Sequence, residues 1–531
     1  MKKSKKSDTL VIKPLIKNRN YLFFTVFTAG MATLAVEFVT SRMLQTVYGT
    51  SNIVWANVIG LVLLFLTIGY FIGGKLADKN PDPKLFYTLV TLAGFSSTFF
   101  LLLTSFILKS TAITLAKLNF GSMIGSLVAV FICLSIPITL LGCISPFAIR
   151  LGVRNIEEAG RVSGRIYSIS TWGSLVGTYL PVLWIIPTTG SRMAAIIFGS
   201  LLLISGLVGM WIETLRVGKA VVLPLVLLPF VYLWGTGNIK TTNHQIFETE
   251  SAYNYIEVVR EGNCNYLHLN EGQVIHSMYC DDADFDRLGV WSNMLTAPYF
   301  LEPAYINSKN EKPISNLLVI GLGAGTIPKE YIHTFGDIKV DGIEIDPEIV
   351  AAGKEYFSMT EPNLNIIVGD GRYELNRLSG RYDAVAIDAY KLPYIPWHLT
   401  TQEFFTEVKN HMEEQGVLSI NVGRTPNDRR LVEAITATLL SVFPSVHTID
   451  SYGLNTVLIA TNQTTERENL FDNMEKINPT ESRLLYSSMQ KAILQFRPTI
   501  ASNIIFTDAR APVETITDSI VLDFMLHNGN G

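Results

Sequence analysis

Two patterns of apolar residues divide the chain, and one gives way to the other near residue 236. Before that point long unbroken apolar runs follow one another: residues 21–45, 53–72, 86–108, 124–148, 166–187, 193–212 and, shorter, 220–234. Most exceed the roughly eighteen apolar residues that a helix needs to cross a bilayer, so residues 20–236 read as a transmembrane domain of about seven helices. Beyond it the apolar residues come in short alternating stretches. Those at 255–259, 266–269 and 274–278, with Gly262 and Gly272 in the turns, predict a small β-hairpin subdomain over 244–310. From 311 to 531 apolar strands at 317–321, 339–345, 365–368, 382–388 and 416–422 alternate with helical stretches, among them ones starting at Pro347, Thr401 and Asp428. That alternation predicts a doubly wound parallel sheet, closed by an antiparallel hairpin over 447–460 that is split around Gly453.

Composition agrees with a membrane part, since 48% of the 531 residues are hydrophobic and only 17% charged. The net charge of −4 gives no reason to expect nucleic acid as a partner. The distribution of charge is more informative. Lys2, Lys3, Lys5, Lys6, Lys13, Lys17 and Arg19 form a basic tail over 1–19, which predicts a cytoplasmic N-terminus. Lys75, Lys79 and Lys84, then Arg150, Arg154, Arg161 and Arg165, then Arg216 and Lys219 place alternate loops on the same side. Glu37 and Arg42 stand inside the first run, where a charge defaults to a functional hypothesis. The favoured reading is structural, with Arg42 reaching the surface and Glu37 paired. Gly69, Gly73, Gly74, Gly173 and Gly177 read as close helix packing.

Four cysteines are too few for a disulfide scaffold. Cys133 and Cys143 lie in an apolar run, whereas Cys264 and Cys280 flank the hairpin whose turn falls near Glu271 and so face each other. A bridge is geometrically possible and needs an oxidising compartment. Free thiols are the expectation, because nothing else in the chain looks secreted.

The chemistry starts at residues 317–357, which run apolar strand, glycine turn, helix, second strand, acid. Gly321, Gly323 and Gly325 make a turn that lets backbone N–H groups approach a ligand, and Glu344 ends the next strand, where an acid suits a ribose diol. Around this turn, the blocks ESAYNYIEV, LNEGQVIHSMY, LLVIGLGAG, VDGIEIDPEIV, VGDGR, YDAVAIDAY and LTTQEFF are similar to those of the spermidine synthase family, over residues 247–422. With the apolar runs, the whole resembles the membrane-bound branch of that family. The resemblance implies a class I S-adenosylmethionine-methyltransferase-like (Rossmann-like) α/β domain behind the multi-pass helical one. It also implies S-adenosylmethionine or its decarboxylated form as the bound nucleoside substrate, with no metal. Gly321, Gly323, Gly325 and Glu344 would hold the nucleoside, Asp370 with Gly371 would meet the adenine, and Asn254 stands where the family uses Gln. Asp388 corresponds to the catalytic aspartate, which accepts the proton of an attacking amine. Its neighbour Tyr390 is a candidate substrate contact.

The departures matter more. Ala324 replaces the family's aspartate in the glycine turn, Lys391 replaces a second aspartate after Asp388, and Trp291 stands where an acid and a tyrosine grip a diamine. A diamine needs carboxylates at both ends, so its site looks dismantled, whereas the loss of an acid and the gain of Lys391 suit a ligand that keeps its carboxylate. His276 replaces a glutamine in the hairpin, and Asp508, in TDARAPVE, is a candidate for closing over the site. The resemblance therefore leaves four readings open: transfer to an external amine with release of 5′-methylthioadenosine, a lyase in which the methionine carboxylate attacks internally, a methyltransferase, and a nucleoside sensor that regulates the helices. The expected partners are the lipid bilayer, the nucleoside, a polyamine and a second copy of the chain. Seven crossings put the last domain outside, where such nucleosides are scarce. If the run containing Pro224 and Pro229 does not cross, it lies in the cytoplasm, which substrate supply favours.

Overall fold

A computed structural model of the chain describes residues 15–48, 52–117, 122–235, 239–240, 242–270, 274–281, 289–308, 313–391, 394–451, 453–480 and 482–528. It divides at residue 241 into two compact units. The basic tail up to residue 14 and the hairpin turn at 271–273, with Glu271 and Gly272, lie outside the described residues.

The first unit is helical: α1 (Arg19–Tyr48), α2 (Asn52–Lys79), α3 (Pro83–Lys117), α4 (Ser122–Gly152), α5 (Ala159–Leu180), α6 (Ile186–Thr214) and α7 (Val222–Trp234). Among the described residues, five helical runs are long and apolar enough to cross a membrane. The difference from seven has two causes. The fifth and sixth predicted spans lie on one continuous run, Ala159–Thr214, joined through the π-turn Pro181–Ile185 and broken only at Gly190, whose φ of 82° leaves the helix. The last run forms a helix of only 13 residues. At 1.5 Å per residue it spans about 20 Å, short of a hydrocarbon core of about 30 Å.

Glycines let these helices approach backbone to backbone. A Cβ on Gly173 or Gly177 would lie 2.1 Å from the carbonyl oxygens of Phe27 and Met31 of α1, and one on Gly69 would lie 2.3 Å from that of Thr139 on α4. Gly73 meets Cys143 in the same way, but Gly74 has only Pro146 at 4.0 Å and is not needed for packing. Glu37 and Arg42 are both half-buried on α1. Near the start of α1, buried Glu213 of α6 accepts the backbone N–H groups of Lys17 and Asn18 at 3.0 and 3.2 Å.

The second unit opens with an antiparallel sheet of β1 (Gln245–Glu250), β2 (Tyr255–Glu261), β3 (Cys264–Leu269) and β4 (Ile275–Cys280), in that order. The hairpin β3–β4 pairs Cys264 with Cys280, and the two form a disulfide with Cα atoms 4.0 Å apart. The expectation of free thiols is thereby corrected: the strand register brings the two Cβ atoms within bridging distance.

Next come α8 (Val290–Leu295), α9 (Pro303–Ser308), β5 (Asn316–Ile320), α10 (Thr326–Phe335), β6 (Lys339–Glu344), α11 (Pro347–Tyr356), β7 (Leu364–Val368), α12 (Gly371–Leu375), β8 (Tyr382–Ile387), α13 (Gln402–Asn410), β9 (Met412–Gly423), α14 (Arg430–Leu440), β10 (Ser445–Asp450), β11 (Asn455–Thr461), α15 (Glu468–Met474), α16 (Arg483–Gln495), β12 (Phe496–Arg497) and α17 (Val513–Asn528). Eight of these strands form one sheet in the order β12-β10-β11-β9-β8-β5-β6-β7, in which β9, β8, β5, β6 and β7 are parallel. Alternate residues of β5 and β8 point to opposite cores: Leu317, Val319, Ala384 and Ala386 to one, Leu318, Ile320, Val385 and Ile387 to the other. A sheet buried on both faces needs such continuous apolar strands. It leaves only the strand ends for polar chemistry.

Candidate functional site

The carboxyl edge of the parallel strands gathers most of the candidate residues. After β5 the chain turns through Gly321, Gly323 and Gly325, with φ of 88°, 56° and 89°. A Cβ on Gly321 would lie 2.6 Å from the carbonyl carbon and oxygen of Asp388, so only glycine allows the turn to rest on the end of β8. Glu344, buried at the tip of β6, accepts the Gly323 N–H at 2.8 Å and the Asp346 N–H at 3.1 Å. Burial pushes its carboxyl up to about 7, against the pull of those two donors.

The small sheet docks on the same turn. Ser277 of β4 accepts the Ala324 N–H at 2.8 Å, and Thr326 Oγ1 accepts the Met278 N–H at 2.9 Å. His276 occupies a bulge in β4, between the pairs Leu267–Ser277 and His268–Ile275. Its Nε2 is buried without a hydrogen-bond partner, and burial with nearby His268 pushes the imidazole down to about 4. Asn254 makes contacts within the protein. Its Nδ2 donates to Asp346 at 2.9 Å and its Oδ1 accepts from Asn270 at 3.0 Å, so its amide is committed to tying the small sheet to the start of α11.

Asp370 caps α12, with Oδ1 accepting the Arg372 and Tyr373 N–H groups at 3.1 and 3.0 Å, while Oδ2 lies 3.1 Å from His398 Nε2. Gly371 packs on β5, where a Cβ would lie 2.6 Å from Ile320 Cγ2. Ile345 and Val368, which follow or end neighbouring strands β6 and β7, are 39% and 49% exposed. Two apolar side chains are thus open to solvent next to Glu344 and Asp370.

Asp388 has both oxygens engaged. Trp291 of α8 donates its indole N–H to Oδ2 at 2.9 Å, and Asn421 of β9 donates to Oδ1 at 2.9 Å. Burial raises the carboxyl above the usual range, opposed by both donors. Tyr390 donates to the Asn421 carbonyl at 3.1 Å, and burial with the charge of Asp388 pushes its phenol well up. Asn421 is a site residue that the sequence reading did not single out; its position at the end of a parallel strand was the available signal.

Two candidates lie apart from this group. Lys391 is exposed, with its backbone bridged to Tyr394. Asp508 forms a bidentate pair with Arg372, at 2.7 and 2.8 Å, and also accepts from Thr401 Oγ1 at 2.7 Å. Glu407 holds the other side of Arg372 at 2.6 and 2.8 Å. The C-terminal segment is thus latched to α12, next to the Asp370 cap.

Part of the chain is similar to known proteins. Residues 306–473 match the spermine/spermidine synthase domain. Around this domain, a probable polyamine aminopropyl transferase of Bifidobacterium longum (strain NCC 2705) is 28% identical over 299 residues, 52% of this chain and 64% of that protein. A polyamine aminopropyltransferase of Vibrio vulnificus (strain CMCP6) is 36% identical over 138 residues, 25% of this chain and 45% of that one. The chain therefore spans less than two thirds of the length of either. A crystal structure of a probable spermidine synthase from Corynebacterium glutamicum ATCC 13032 is 17% identical, covers 49% of this chain and 98% of its own, and gives a TM-score of 0.38.

Proposed function

We propose that the second unit binds S-adenosylmethionine or its decarboxylated form and cleaves the bond between sulfur and the adjacent chain carbon, passing the chain to a nucleophile other than an ordinary diamine and releasing 5′-methylthioadenosine. The nucleophile supplies the electron pair of the new bond, and the broken C–S pair stays on sulfur as a neutral thioether. The observation that carries this reading is Asp388 held between Trp291 and Asn421. A carboxylate in that position steadies the sulfonium and orients the carbon under attack. Trp291 fills one acceptor position of that carboxylate and brings no charge to hold a diamine's far end. The same observation favours a second route, in which the methionine carboxylate attacks internally and no proton has to be taken up.

The nucleoside itself would lie along β5 to β7. The Gly321–Gly325 turn supports this placement, as do buried Glu344 for the ribose hydroxyls and the exposed Ile345 and Val368 beside Asp370 for the adenine. Incubating the purified full chain with either nucleoside, with and without polyamines, and weighing the products tests the proposal. Methylthioadenosine is the expected product, S-adenosylhomocysteine would make it a methyltransferase, and tight binding without turnover would make it a sensor.

We also read the first unit as membrane-embedded. The long apolar runs support this, and so do large outward side chains such as Phe71, Trp172 and Leu183, 62–71% exposed. If the 56-residue run Ala159–Thr214 crosses twice, dividing at Gly190, and the 13-residue α7 is too short to add a crossing, six crossings return the second unit to the side of the basic N-terminal tail, which is the side proposed for it. The Cys264–Cys280 bridge argues for the opposite side, because a disulfide persists in an oxidising compartment, and mass spectrometry under non-reducing conditions decides: free thiols in cells support the cytoplasmic placement and an intact bridge overturns it.

A further inference from the structure

Beyond Asp388, the same edge of the sheet carries a second charged cluster that the nucleoside reading does not use. Arg424 follows β9, Asp450 ends β10, Arg497 ends β12 and Arg429 precedes α14. Because β9 and β10 are both antiparallel to β11, they run in the same direction, and Asp450 lies at the edge that Asp388 also occupies. Arg424 Nε lies 3.2 Å from Asp450 Oδ1, Arg429 Nη2 lies 2.9 Å from Oδ1, and Arg497 Nε lies 3.0 Å from Oδ2. Thr456 Oγ1 adds a donor to Oδ1 at 2.8 Å. Burial works to raise the Asp450 carboxyl, but Arg429, Thr456 and Arg497 together hold it below the usual range, so it is ionised.

Three guanidinium groups thus share one carboxylate, and among the described residues no second carboxylate pairs with them. The Arg424 side chain is only 10% exposed, where an unbalanced charge is costly. Arg497 is 56% exposed and uses Nε alone on Asp450, which leaves its two terminal nitrogens without a partner among the described residues.

This cluster is joined to the catalytic carboxylate twice. Asn421, which donates to Asp388, stands three residues before Arg424 on one extended strand, a rise of about 10 Å. Trp291, which also donates to Asp388, stands two residues before Asn293, whose Nδ2 donates to Ser451 Oγ at 2.8 Å and to the Asp450 carbonyl at 3.3 Å. One strand and one short helix therefore hold both clusters at a spacing that a small second ligand can bridge.

We propose that Arg424, Arg429 and Arg497 form a carboxylate-binding subsite at the end of the site opposite the nucleoside. The proposal rests on the nucleoside reading above and names what the site takes in place of a diamine: an amine that keeps its carboxylate or, from the other source, the methionine carboxylate of S-adenosylmethionine. An arginine fork matches a carboxylate in shape and charge, whereas a diamine would be repelled.

Calorimetric titration of the full chain in detergent separates the two sources. One arm compares S-adenosylmethionine with its decarboxylated form. The other compares ornithine, lysine and arginine with putrescine, cadaverine and agmatine, with and without saturating 5′-methylthioadenosine. In one arm the carboxylate-bearing member is expected to bind at least about tenfold tighter, and that preference should vanish in Arg497→Gln and in Arg429→Gln while affinity for methylthioadenosine is unchanged. The arm that shows it identifies the source. No preference in either arm, or one that survives both variants, overturns the proposal. Failure of methylthioadenosine to bind the wild type overturns the nucleoside reading instead, and the pairwise preferences measured without it still decide the subsite.

Discussion

On the side of the sheet edge proposed for the nucleoside, strands β5 to β7 lead into three glycines and two acids, Glu344 and Asp370; on the other side Arg424 after β9, Arg429 before α14 and Arg497 of β12 surround Asp450 at the end of β10. Asp388 at the end of β8 stands on the border, with Trp291 and Asn421 holding it. Both halves use one rule, that open α/β sheets present their chemistry at the carboxyl ends of strands, yet with opposite charge. The acids suit hydroxyls and an amino group, and the arginines suit an anion. A site with this polarity favours a ligand that is neutral or positive at one end and carries a carboxylate at the other.

The border is where the largest effect is expected. Asp388→Asn keeps the shape and can still accept from one of its two donors, Trp291 or Asn421, but removes the charge proposed to face the sulfonium, so turnover should fall about a thousandfold with methylthioadenosine affinity nearly unchanged. A loss of affinity equal to the loss of turnover would mean that Asp388 only binds. Glu344→Gln acts on the nucleoside half alone: methylthioadenosine should bind about ten to a hundred times more weakly, while any preference for carboxylated ligands stays intact. If that preference disappears as well, the two halves are not separable.

A smaller effect is expected from pH. Because burial raises the Glu344 carboxyl to about 7, it is protonated below that pH and accepts fewer hydrogen bonds from ribose hydroxyls. Nucleoside affinity should therefore rise several-fold between about pH 6 and about pH 8. Folding stability should move the other way, falling as pH rises from about 4.5 to about 7, since the folded state holds the proton more tightly than the unfolded one. Paired calorimetric and denaturation titrations check both signs, and Glu344→Gln should flatten both. The smallest effect concerns Asn254. Its replacement by Ala should cost about 1–3 kcal/mol of stability by stranding buried partners at Asp346 and Asn270, yet change methylthioadenosine affinity less than about threefold. A large affinity loss there would restore it to the nucleoside half.

The sequence by itself determined the elements that depend on local periodicity. The apolar runs, the strand and helix alternation, the glycine turn and Glu344 twenty-one residues from Gly323 follow from patterns within single segments. The elements that short stretches do not specify are the ones that differ: the join of α5 to α6, the shortness of α7, and the strand β1, which the alternation did not mark.

Only the tertiary structure decided which residues meet. Trp291 reaches Asp388 across 97 residues and Asn421 reaches it across 33, while Asp508 meets Arg372 across 136. Three arginines from separate elements find one aspartate, and two cysteines pair because the hairpin register sets them opposite each other. Strand order in a sheet is fixed by how both faces are buried, which no single segment encodes. The half proposed for the nucleoside was legible in the chain because one β-α-β segment carries most of it; the arginine half was not, because it exists only where the ends of β9 and β10, the start of α14 and the antiparallel strand β12 come together at Asp450.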